Sequence, residues 1–187
     1  MNTVISDKEY DKLIKRLEFF DTTRNNLLTF SFTAVLAILG VALTIDMNSI
    51  SAWLCLIPFC LIIPFAARIT YYRLASAHIN SFLRKFAEED MQFEIGTRVV
   101  TEDGCKLYPQ IAWLINHEMV LLSVATSCIF YLKYVTSIEN WTYLNLIGLA
   151  VPVFLSTLVY LISHTTHSYK KLMVGFEEKW DSYSEHK

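Results

Sequence analysis

The chain has 187 residues, of which 53% are apolar and 18% charged, whereas a typical soluble domain carries about 25% charged residues. This composition excludes a disordered chain and argues against an ordinary soluble globule. The 16 Lys and Arg residues are balanced by 18 Asp and Glu residues, which gives a net charge of −2. That balance excludes a uniformly basic surface of the kind that binds nucleic acid, so any binding site must be local.

Residues 1–26 predict an amphipathic helix before the first apolar segment. Ser6 and Glu9 have the spacing of a capping box. Apolar residues then recur at helical intervals at Tyr10, Leu13, Ile14, Leu17 and Phe20. The sequence leaves two interpretations open, since such a helix either packs on the cytoplasmic ends of a helix bundle or lies in the lipid interface.

Four apolar segments, residues 27–45, 50–67, 119–137 and 142–163, are each long enough to cross a bilayer. A helix rises about 1.5 Å per residue, and the hydrocarbon core is roughly 30 Å thick. We therefore expect an all-α integral membrane protein with two transmembrane helix pairs, residues 27–67 and 119–163. The lipid bilayer is then the first expected partner.

The distribution of basic residues predicts the orientation of these helices. Fifteen of the sixteen Lys and Arg residues lie in residues 1–26, 68–118 and 164–187, and the two short loops near residues 46–49 and 138–141 contain none. Basic residues concentrate in cytoplasmic loops. The expectation is a multi-pass protein of the cell inner membrane with cytoplasmic N and C termini. Lys133, the remaining basic residue, is expected to extend from the third span to the outer interface.

The segment 68–118 predicts a cytoplasmic helix–hairpin–helix. No helix breaker occurs between Arg68 and Gly96, so the second span is expected to continue as a helix into the cytosol. The Asp103-Gly104 pair lies between β-prone residues, which predicts a small β-hairpin within residues 93–108. Pro109 then suits the first turn of a helix that leads into the third span.

A cluster of mostly basic residues on the extended helix is the candidate ligand-binding site: Arg68, Arg73, Asn80, Arg84 and Lys85. Arginine pairs with phosphate through two parallel hydrogen bonds, so these residues are candidates for binding a nucleotide or a short nucleic acid. The alternative interpretation is a solvated face that only reflects the cytoplasmic excess of positive charge.

Small and polar residues form stripes along three of the predicted spans: Thr33 and Gly40 in the first, Ser123 and Thr126 in the third, and Asn145, Gly148 and Ser156 in the fourth. Polar groups are costly in a membrane, so they either mediate close helix packing or line an aqueous path. Four helices enclose too little space for a pore, and a path would require a homo-oligomer. Pro58, Pro64 and Pro152 are candidate gating hinges because proline removes a helical hydrogen bond.

The sequence lacks the nucleotide-binding and hydrolase motifs that would indicate an enzyme. The spacing of His164 and His167 suits a shared metal, but no carboxylate or cysteine lies nearby in sequence. We therefore expect no catalytic residues, no metal and no cofactor.

Four features follow one another in the first half of the chain: the amphipathic leading helix, Arg24 before the first span, the short turn at residues 46–49, and the long helix from Arg68 to Phe86. This order of features resembles the SLATT-type membrane effectors of bacterial anti-phage systems. This resemblance implies a small helical membrane protein that oligomerises into a channel under the control of a nucleotide signal. The alternative is a non-conducting membrane anchor, or interaction subunit, for a cytoplasmic protein.

Overall fold

A computed structural model describes residues 6–45, 49–86, 113–138, 143–166 and 169–185. These residues contain no strand, and six helices account for most of them: α1 (Asp7–Thr44), α2 (Ser49–Leu54), α3 (Phe59–Phe86), α4 (Glu118–Thr136), α5 (Tyr143–His164) and α6 (Tyr169–Glu185). A further helical turn covers residues 113–116. The hairpin predicted at 93–108 and the helix start predicted at Pro109 lie outside the described residues.

Four helical segments are long and apolar enough to cross a membrane: Asp7–Thr44, Ala52–Phe86, Glu118–Thr136 and Asn145–His164. Each contains most of one apolar segment identified in the sequence, so the prediction of four candidate transmembrane helices is confirmed. These four helices fit a multi-pass, helical membrane protein. The predicted continuation of the second helix to Phe86 is confirmed as well.

Helix α1 is a single helix of 38 residues, so the amphipathic segment and the first apolar segment are one element. At 1.5 Å per residue it is about 57 Å long, nearly twice the thickness of the hydrocarbon core. Residues 21–26 connect the two segments and contain neither glycine nor proline. The backbone ladder therefore continues through polar residues that are tolerated in a helix.

The second candidate span is interrupted at Pro58. Residues 55–58 form a turn between α2 and α3, and the amides of Cys55, Leu56 and Ile57 bond carbonyls three residues earlier at 3.0–3.1 Å. Tight bonds of this kind end a helix, and the missing N–H of proline prevents the regular ladder from continuing. Pro64 and Pro152 lie inside α3 and α5 without ending them. Gating at any of the three remains a prediction.

The chain divides into two compact units. Unit 1 comprises residues 1–24, 71–116 and 166–187, and unit 2 comprises residues 25–70 and 117–165. In unit 2, α4 packs against α5 and α2. The buried apolar residues of this core include Val35, Phe59, Ile62, Phe130 and Val159.

The core of unit 1 contains Phe20, Ile79 and Leu83, which are buried between the first part of α1 and the second half of α3. The apolar residues of the N-terminal amphipathic segment pack on these three: Tyr10, Leu13, Ile14 and Leu17. The apolar face of this segment is therefore covered by α3.

Candidate functional site

Three serines join α4 to α5 inside unit 2. The hydroxyls of Ser127 and Ser156 are 2.9 Å apart. Ser127 also lies 3.5 Å from the carbonyl oxygen of Pro152, and Ser156 lies 3.5 Å from that of Ser123. The polar groups of these two helices thus hydrogen-bond to each other within one chain, as expected where water is excluded. Ser123 and Ser156 belong to the predicted polar stripes, whereas Ser127 was not among the candidates.

Gly148 lies in the same helix pair and allows close packing against an aromatic side chain. A Cβ atom added at Gly148 would lie 2.8 Å from Cζ of Tyr134, which is shorter than any normal contact. Tyr134 is itself buried and stacks on Phe130, with ring centroids 5.0 Å apart. Nearby, the Tyr131 hydroxyl donates to the carbonyl of Leu149 at 2.6 Å. These contacts, with the three serines, are called the α4–α5 seam below.

Lys133 is buried, with 3% of its surface exposed, and binds the end of α1. Its ammonium donates to the carbonyl oxygen of Ile45 at 3.0 Å and to that of Ala42. The last carbonyls of a helix lack partners in the helix and carry its partial negative charge, so a cation there is stabilising. The prediction that Lys133 extends to the outer interface is therefore wrong. Its side chain is buried because these carbonyls bind its ammonium group inside the protein.

The small-residue stripe of α1 is on the surface of the chain. Thr33 and Gly40 are exposed, as are Ala37 and Thr44 on the same side of the helix. A Cβ atom at Gly40 would meet no atom within 4 Å. The hydroxyls of Thr33 and Thr44 donate to carbonyls of their own helix at 2.9 and 2.8 Å. This set of four residues is called the α1 face.

The remaining candidates of the spans lie in different surroundings. Thr126 is buried and donates to the carbonyl of Leu122 at 2.8 Å. Asn145 is half-buried near the start of α5. The structure therefore brings Ser123, Gly148 and Ser156 together in the α4–α5 seam and places Thr33 and Gly40 on the α1 face.

Arg73, one of the predicted ligand-binding residues, binds the backbone of its own unit. Its guanidinium donates to the carbonyls of Ile115 and Asn116 at 2.6 and 2.8 Å, and the side chain is largely buried. It therefore caps the helical turn over residues 113–116. Arg68 is exposed and belongs to unit 2, whereas Asn80 is half-buried in unit 1.

Arg84 and Lys85 form ion pairs with carboxylates of α6. Arg84 lies 3.2 Å from Glu177, and Lys85 contacts Asp181. Glu177 and Asp181 are four residues apart, so they lie one above the other on one face of the helix. The two cations at the end of α3 thus meet two anions one helical turn apart. Neither acidic residue was predicted from the sequence as part of a site.

An aromatic cluster lies beside these ion pairs. His78 stacks on Trp180 with centroids 5.1 Å apart and an interplanar angle of 16°. Phe82 packs edge-on against Trp180 at 4.9 Å, and Phe176 lies 5.1 Å from His78. Leu172, Phe176 and Trp180 recur every four residues, a pattern from which the helix in the tail could have been predicted.

Within the described ranges, no group of three or more His, Cys, Asp or Glu side chains is placed to hold a metal ion. His167, the second member of the HxxH pair, lies outside those ranges. Comparison of the chain with protein-family models, with curated proteins and with solved structures finds no match.

Proposed function

We propose that this chain is an oligomeric, channel-type effector of the bacterial inner membrane, gated at its cytoplasmic face by an anionic signal. The signal is a nucleotide or a short oligonucleotide, and the biological setting is anti-phage defence, as the resemblance to SLATT-type effectors implies. The observation that carries the proposal is the α1 face, a stripe of small and hydroxyl residues that none of the described residues of unit 2 covers.

An exposed stripe of this kind in an apolar span favours contact with another helix over contact with lipid. Small residues let helix backbones approach closely, and hydroxyl oxygens accept hydrogen bonds across the contact. The polar groups of the α4–α5 seam, by contrast, are already bonded within the chain. A second copy of the chain is therefore the natural partner of the α1 face, and several copies would supply the lining of an aqueous path.

The proposed orientation has both termini and residues 68–118 in the cytoplasm. Its support is the distribution of Lys and Arg, fifteen of which fall in these three segments. A membrane-impermeant thiol reagent applied from outside should label a cysteine introduced at Asn140 and spare one introduced at Thr101. Labelling of Thr101→Cys in intact cells would contradict the proposed orientation.

Ion flux in liposomes that contain the purified protein tests the channel, and Gly40→Leu tests the role of the α1 face. Because Gly40 has open space around it, a leucine there fits a single chain but obstructs a close helix contact. We expect Gly40→Leu to convert the oligomer to smaller species on size-exclusion chromatography with light scattering and to abolish flux. Val41→Leu is the matched control, since Val41 is the next residue and is 64% exposed.

The second candidate function is a non-conducting membrane anchor for a cytoplasmic protein. It is favoured by the α4–α5 seam, where the hydroxyls of Ser127 and Ser156 bond each other within one chain. The same liposomes separate the two functions. An oligomer that forms but conducts no ions, with or without nucleotide, would indicate the anchor.

A further inference from the structure

Helix α6 is held against the end of α3 by two kinds of contact, both within unit 1. The first is the pair of ion pairs, Arg84 with Glu177 and Lys85 with Asp181. The second is the stacking of Trp180 on His78, with Phe82 packed against its edge. The carboxylates of α6 therefore form ion pairs with the two cations that the sequence predicts to bind an anion.

Each ion pair joins a more exposed side chain to a half-buried one. The side chain of Asp181 is 62% exposed and that of Lys85 21%, while that of Arg84 is 38% exposed and that of Glu177 26%. Because water and salt reach one partner of each pair and two long side chains must be ordered, such pairs contribute little to stability. A ligand with higher negative charge can consequently displace the carboxylates from the two cations.

We propose that α6 is a displaceable helix whose Glu177 and Asp181 act as an internal substitute for an anionic ligand. This inference rests on the proposed function, since it describes how the anionic signal reaches Arg84 and Lys85. The ligand releases α6 from α3 when it replaces the two carboxylates. With its ion pairs lost, α6 retains the aromatic contacts of Trp180 with His78 and Phe82.

The arrangement of the carboxylates defines the chemistry of the ligand. Residues four apart on a helix have Cβ atoms about 5–6 Å from each other, so the ligand must present at least two negative groups at a similar separation. A group of linked or closely spaced phosphates supplies two such charges, and phosphates bind arginine through paired hydrogen bonds. They occur both in soluble polyphosphates, nucleotides included, and in a layer of anionic lipid headgroups.

Hydrogen exchange of α6 amides tests the inference on the full chain in phosphatidylcholine nanodiscs. Sodium tripolyphosphate is the soluble probe, compared with sodium chloride at equal ionic strength because salt alone weakens ion pairs. Nanodiscs that contain phosphatidylglycerol form the lipid arm. We expect one of the two phosphate sources to accelerate exchange in residues 171–182 by about fivefold for each ion pair lost, the upper end for exposed pairs. Exchange in α4 and α5 should not change.

Charge-neutral variants separate displacement from a general loss of structure. Glu177→Gln combined with Asp181→Asn should accelerate α6 exchange without any ligand and should bind tripolyphosphate more tightly, since the cations no longer have internal partners. Arg84→Gln combined with Lys85→Gln should accelerate exchange and abolish the response to phosphate. Glu178→Gln removes one negative charge from an exposed neighbour that is not part of either ion pair, and it should change neither property.

Unchanged α6 exchange with both phosphate sources would overturn the inference. Equal effects of the Glu178→Gln control and the Glu177→Gln, Asp181→Asn pair would do so too. Ion flux is measured separately in the same preparation. Release of α6 without ion flux would support the displaceable helix and contradict the channel. Ion flux without release of α6 would support the channel and contradict the displaceable helix.

Discussion

The α4–α5 seam and the α1 face are built from the same kinds of residue but have opposite surroundings. In the seam, Gly148 lies so close to Tyr134 that no side chain fits, and Ser127 and Ser156 bond each other. On the α1 face, Gly40 has open space around it and Thr33 is exposed. A stripe of small residues therefore shows that a helix can be approached closely, but not whether its partner belongs to the same chain.

The largest effect is expected from Gly148→Leu, which tests whether the seam is rigid. Tyr134 is stacked on Phe130 and lies against Trp53, so its ring has little freedom to move away from an added side chain. Overpacking of this kind costs ~3 kcal/mol of unfolding free energy. Reversible unfolding of the purified protein in mixed detergent micelles measures the change.

Gly40→Leu is the matched control for this prediction and should leave the stability of the single chain within error of the wild type. Equal losses for the two variants would mean that the seam and the α1 face do not differ as the structure indicates. Retained stability in Gly148→Leu would show that Tyr134 can move.

An intermediate effect is expected from Lys133→Met, which leaves the carbonyls of Ala42 and Ile45 without their cation. Hydrogen bonds to a charged group contribute about 2 kcal/mol each, and part of that loss is offset because the buried charge is removed as well. We expect faster hydrogen exchange over residues 40–45 at the end of α1 and a lower unfolding temperature. Lys133→Arg retains the charge and should keep both the hydrogen exchange of residues 40–45 and the unfolding temperature close to those of the wild type. Unaltered exchange at the end of α1 in Lys133→Met would refute this role of the ammonium.

The smallest effect is expected from Ser127→Ala in the seam. Hydrogen bonds between helices in membranes contribute about 0.6 kcal/mol on average. The variant should therefore reduce the unfolding free energy by about this amount and leave oligomer size and ion flux unchanged. A loss of flux at constant stability would place the Ser127 hydroxyl in the conduction path and would favour a pore through the seam.

Most of the helical fold could be predicted, because membrane spans are recognised by their apolar length and amphipathic helices by the spacing of their apolar residues. The four apolar segments and the extension of α3 to Phe86 followed from length, spacing and the lack of breakers. The continuity of α1 could not be predicted in this way, since the change from mixed to apolar composition near residue 26 indicated two segments. The helix continues through this change because its backbone hydrogen bonds do not depend on the polarity of the side chains.

The partners of the candidate site could not be predicted because they are distant in sequence and have no period in common. Arg84 gives no indication that its partner is Glu177, or that a helix in the tail carries it. Arg73 was assigned to a ligand because guanidinium groups suit phosphate, yet it donates to two backbone carbonyls. Local pattern identifies the donor in these cases, whereas the fold determines the acceptor.

The buried ammonium of Lys133 has a consequence for the biogenesis of the protein. Helix α4 is the least apolar of the four candidate spans, and the charge of Lys133 in its last turn further weakens insertion of the isolated helix. The carbonyls that receive its charge belong to α1, which is synthesised first. We therefore expect α4 to be retained poorly in the bilayer when it is expressed without α1, and the order of synthesis to supply the acceptor before the charge arrives.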